Sequence, residues 1–139
     1  MAYTLSDHYR PLRIALRVNG STVGVALGLA LLTLSRHALA AWGLYQGGSL
    51  WPMRLAGAAL LALGLLFLLI ASQPEIGLSM LVPIITANTL IALVLLVGYF
   101  QQEFAGLTIA GRILLVIIFA LCLVGVLAPL PYLRAEYRR

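Results

Sequence analysis

Few side chains in this sequence could take part in chemistry, and their spacing keeps them apart. The four carboxylates, Asp7, Glu75, Glu103 and Glu136, are scattered along the chain. Neither a pair of acids for proton transfer nor an oxygen-ligand cluster for a metal is indicated. His37, beside Arg36, stands at a plausible height for an axial ligand to a haem or a chlorophyll-type magnesium. The other histidine, His8, is expected on the opposite side of the membrane, so a bis-histidine haem within one chain is not expected. An interfacial His37 without a ligand is the preferred reading, and no cofactor or metal is predicted. Cys122 lies inside an apolar run, where a thiol stays protonated and packs as a small hydrophobe. All nine basic residues are arginine, so a covalent Schiff base to retinal or pyridoxal has no attachment point on these residues. A reactive constellation is missing from the pattern, and the chain is read as not an enzyme.

Polar side chains expected deep in the membrane are also few. Asn88 falls near the middle of an apolar stretch, with Thr86 and Thr89 beside it and Pro83 one turn earlier. Proline leaves the carbonyl of Ser79 without its helical donor, and such a break with a nearby amide is a candidate polar site for an ion or substrate. The simpler reading is an interhelical hydrogen bond of about 1 kcal/mol or less. Arg10, Arg13 and Arg17 share one stripe of a helix and suit lipid phosphates, as does a net charge of +5 placed at segment ends rather than on one basic face. Membrane lipids, and no nucleic acid, are the partners this implies.

The elements that position these residues follow from where charge is absent. Val18 to Ser35, Leu55 to Pro74, Ile76 to Gln102 and Ile113 to Leu133 carry no formal charge and run for 18, 20, 27 and 21 residues. About 20 helical residues rise about 30 Å, the thickness of the hydrocarbon core. With 63% hydrophobic and 9% charged residues, no water-soluble domain is left, and 1–139 is read as a single membrane domain. The expectation is an all-α polytopic membrane protein with four transmembrane helices, about 14–34, 53–71, 76–100 and 108–128, in an antiparallel bundle. Ala38-Leu39-Ala40 resembles a signal cleavage site, but the apolar run before it is long and Arg36 and His37 intervene, so the first helix is read as uncleaved.

Gly20, Gly24 and Gly28 form a glycine zipper on the first helix, because four residues advance a helix by about 400° and keep one face. Gly57 and Gly64, among alanines, answer on the second helix, and internal packing of these two helices is preferred over self-association or docking of another subunit. The stretch 72–75, with Pro74, is read as a tight turn that makes the second and third helices a hairpin. The longer link 35–52 is expected to carry an interfacial helix over 38–45.

Six arginines flank the first and last helices (Arg10, Arg13, Arg17, Arg134, Arg138 and Arg139), against Arg36, Arg54 and Arg112 on the other side. By the positive-inside rule both termini are cytoplasmic, in what is read as a bacterial inner membrane. Aromatic residues fall into two belts, Trp42, Tyr45, Trp51, Tyr99, Phe100 and Phe104 outside and Tyr3, Tyr9, Tyr132 and Tyr137 inside. The functional expectation is an accessory or structural subunit of a larger membrane complex. A small oligomeric transporter or channel with a polar site near Asn88 is the alternative, and a pigment-, haem- or quinone-associated subunit through His37 the third.

Overall fold

The chain begins its first helix at Arg10 because Pro11 in the first turn needs no hydrogen-bond acceptor for a missing N–H. The computed structural model describes residues 9–45 and 47–136, which contain helices and no strand. Four helices are long and apolar enough to cross a membrane: Arg10–Thr33, Trp51–Ser72, Leu78–Phe100 and Ile109–Arg134. At 22 to 26 residues each they match the hydrocarbon thickness, and the chain is an integral membrane protein by that measure. Leu69, Val94, Ile109 and Val116 stand well exposed on their outer faces, as suits an apolar solvent.

Local chemistry sets the ends. Ser35 caps the short helix Arg36–Ala41, its hydroxyl accepting from the Ala38 N–H at 3.3 Å. Thr108 does the same for the fourth span through the Gly111 N–H, also at 3.3 Å. The second span stops as Gln73 turns extended ahead of Pro74. Pro83 sits inside the third span. The fourth span breaks after Leu127, and Leu130–Glu136 continues as a separate short helix.

The middle of the first span, Gly20–Ala26, is π-helical. One cause is visible in Thr22, whose hydroxyl donates to the Val18 carbonyl at 2.6 Å and so competes for the acceptor that an α-helix would give to a backbone N–H. Gly20 and Gly24 add no side chains to resist the wider turn.

The first two spans pack backbone against backbone. A Cβ placed on Gly24 would lie 2.8 Å from the Gly64 nitrogen, one on Gly28 2.8 Å from the Leu61 nitrogen, and one on Gly57 2.8 Å from the Gly28 carbonyl oxygen. Only hydrogen fits at these positions, and this lets dispersion contacts replace the hydrophobic drive that lipid does not supply. The third span packs mainly along the fourth, and the first also touches the fourth. The second and third spans, although consecutive, share few backbone contacts, so the expected hairpin is a connection rather than a packed pair. Their side chains meet near the connection, where Phe67, Ile70 and Ala71 join Leu12, Leu16, Leu81 and Ile84 in one buried cluster.

Both ends are tied. Arg13 donates from Nη2 to the carbonyls of Gln73 and Pro74 at 2.8 Å each, and the Tyr9 and Tyr132 rings stack at 5.4 Å. At the other end the Thr108 hydroxyl donates to the Trp42 carbonyl at 2.9 Å, and Gly43, at φ +73°, lets the link approach the start of the fourth span.

Several expected boundaries move. The first helix starts at Arg10 rather than Ile14, the third at Leu78 rather than Ile76, and the link carries a short helix over Arg36–Ala41 rather than 38–45. The first shift follows from Pro11, which starts a helix as readily as it ends one; the second from Gly77, which stays extended as the N-cap.

Gly64→Leu is expected to lower stability by about 1–3 kcal/mol or more, since the obstructing atoms are backbone and cannot rotate away. Gly77→Ala, where the nearest outside atom lies 4.0 Å from the added carbon, is expected to cost less, about 0.5–1 kcal/mol as the weaker N-cap. Thermal unfolding of both variants in mild detergent, followed by circular dichroism, checks the contrast.

Candidate functional site

Two asparagines meet inside the bundle. Asn19 is the tenth residue of the first span and Asn88 lies near the middle of the third, and they are 3% and 1% exposed. Asn19 donates from Nδ2 to Asn88 Oδ1 at 2.7 Å and to the Leu121 carbonyl on the fourth span at 3.3 Å. Asn88 in turn donates from Nδ2 to the carbonyl of Ile84 at 2.9 Å. The Asn19 amide nitrogen thus donates both ways, to a carbonyl on the fourth span and to the Asn88 amide on the third, and only the leg from Asn19 through Asn88 to Ile84 runs head to tail, where each bond polarises the next.

Gly125 makes this arrangement fit. A Cβ there would lie 2.5 Å from Asn19 Nδ2 and 2.6 Å from Asn88 Cγ, so the fourth span can close over the amides only where it has no side chain. Above and below, the surroundings are apolar. Leu16 and Ile84 belong to the cluster towards the chain ends, while Val23, Ala92, Ile118 and Cys122 form the cluster towards the long link. The amides occupy the layer between the two clusters, and buried polar groups in such a place need partners they carry with them.

The sequence-predicted polar set divides. Asn88 is buried in this node, whereas Thr86 is exposed and its hydroxyl donates to the Val82 carbonyl of its own helix at 2.9 Å. Pro83 is exposed and Thr89 half-buried. Asn19 was absent from that set because a helix starting near residue 14 would place it at the headgroups. The start at Arg10 makes it the tenth residue of the span, level with Asn88. A glycine such as Gly125 in a run of large apolar residues was the available signal for a close approach over something inside.

The remaining candidates lie elsewhere. Gly20, Gly24, Gly28, Gly57 and Gly64 are brought together between the first two spans. The arginine stripe splits, with Arg10 and Arg17 exposed and Arg13 half-buried against the 73–74 carbonyls. His37 is exposed on the short helix Arg36–Ala41, and His8 lies outside the described residues. Among the described residues no three of His, Cys, Asp and Glu are grouped to hold a metal. Arg112 donates to the Ala105 carbonyl at 2.9 Å, which gives the guanidinium a backbone partner. Comparison of the chain with protein-family models, with curated proteins and with solved structures gave no match in any of the three.

Chemically the node links three helices, since both side-chain amide nitrogens donate to acceptors within the protein. Asn19→Leu and Asn88→Leu are each expected to destabilise the bundle by about 1 kcal/mol, with a coupling between them of about 0.6–1.7 kcal/mol in a double-mutant cycle. Equilibrium unfolding of the four proteins in mixed detergent measures it, and additive losses would remove the bond from the account.

Proposed function

We propose that this chain is a non-catalytic accessory or structural subunit of a larger membrane complex. The reading places it in a bacterial inner membrane as an antiparallel bundle with both termini cytoplasmic. The observation that carries it is the closed amide node: the deepest polar side chains, Asn19 and Asn88, bond to each other and to backbone carbonyls under Gly125. The glycine face is likewise filled by the neighbouring span, which directs any partner to the broad apolar faces of the third and fourth spans. The stacking of Tyr9 on Tyr132 supports entry and exit at one end, and the arginine excess there supports a cytoplasmic side.

A small oligomeric transporter is the second reading, favoured by one observation. The π-helical segment Gly20–Ala26 directly follows Asn19, and such segments are frequent at functional sites. Flux through reconstituted vesicles that disappears in Asn88→Leu would support that reading.

Purification in mild detergent from native membranes, followed by mass measurement, separates the two. The subunit reading predicts a particle containing other polypeptides in fixed proportion. A homogeneous particle of this chain alone would overturn it.

A further inference from the structure

A groove of about 790 Å³ opens sideways between the end of the third span and the start of the fourth. Its volume lies within the range of about 300–1,000 Å³ typical of small-molecule sites. Leu95, Leu115 and Phe119 line it towards the middles of the two spans, and Tyr99, Phe104 and Arg112 line it at their connected ends.

The shape has a local cause. Gly98 admits the Phe104 ring, whose Cζ would be 2.7 Å from a Cβ there, so the link folds back over the last turn of the third span. Gln102, at φ +57°, makes the reversal. The fold leaves the space beside Leu95 and Leu115 uncovered towards the lipid.

Charge and depth then select the occupant. Arg112 is exposed at the mouth, and the Ala105 carbonyl takes one of its N–H groups at 2.9 Å, which holds the guanidinium in place with further donors to offer. Tyr99 and Phe100, both more than two-thirds exposed, sit in the same turn as an interfacial aromatic belt, so the guanidinium lies at headgroup depth. Water in the apolar part would find few partners, whereas an acyl chain needs none. A single molecule satisfies both ends only if it is anionic at the surface and hydrocarbon below.

We propose that this groove binds one anionic phospholipid, with its phosphate on Arg112 and an acyl chain along Leu95, Leu115 and Phe119. The pairing is a charge-assisted fork on a phosphate, which distinguishes this lipid from those that merely surround the protein.

The test is native mass spectrometry of the protein as purified, after exchange into nanodiscs of phosphatidylglycerol and phosphatidylcholine in equal parts. The expected result is one retained phosphatidylglycerol, with retention at least about tenfold lower in Arg112→Gln and unchanged in Arg36→Gln, an exposed arginine at the same end. Val116→Trp, which fills the groove and leaves Arg112 in place, is expected to expel the lipid as well. Equal retention of the two lipids, or retention unaffected by Arg112→Gln and Val116→Trp, would overturn the proposal. So would a second copy or another polypeptide occupying the groove in place of lipid. Loss of the lipid result leaves the subunit reading standing, because copurifying polypeptides are counted separately from retained lipid.

Discussion

An amide buried at the centre of a membrane has no water to turn to, and the whole bundle is arranged around meeting that demand. Asn19 donates to Asn88 across two spans and to the Leu121 carbonyl on a third, while Asn88 donates to Ile84 of its own helix. Because each donor direction is fixed by its acceptor, rotation or sliding of any one of these helices would leave a polar group in hydrocarbon. The stabilisation from such a bond is modest, about 0.6 kcal/mol on average, but the penalty against alternative registers is larger. The node therefore does more for uniqueness of packing than for total stability.

The rest of the structure divides around it. Close approach at glycine joins the first span to the second, and side-chain packing joins the third to the fourth. The first span belongs to both halves, since it carries the glycine face on one side and Asn19 on the other. Its π-helical segment lies where both demands coincide, immediately after Asn19 and across Gly20 and Gly24. Arg13 and the Tyr9–Tyr132 stack close the terminal end, and the Trp42–Thr108 bond closes the other, so the bundle is tied at both ends as well as in the middle.

Charge-free length made the four spans legible, because a membrane helix must be apolar throughout and few other elements are. The glycine register was legible for the same reason, as period four on a helix is a geometric statement. The node was half legible. Asn88 stands out in a leucine-rich stretch, but Asn19 sits two residues beyond Arg17, and the apparent end of the charge-free run hid its depth. Long arginine stems reconcile the two, since Arg17 can reach outward from a backbone position inside the membrane. The glycines pointed to the close approach of the first two spans, but the third span's partner was not legible, because the short 72–75 connection suggests the second span while the third packs along the fourth.

Under the proposed subunit role the amide node is a closed structural joint and not part of a water-filled path. Cys122 reports on this directly, being fully buried one residue beyond Leu121, whose carbonyl Asn19 engages. The deciding measurement is labelling of Cys122 by a charged, water-soluble maleimide in reconstituted vesicles open to reagent on both sides. The account predicts no modification of the folded protein and complete modification after unfolding. Labelling of the folded protein at a rate approaching that of the unfolded chain would show that water reaches mid-depth, and would contradict it.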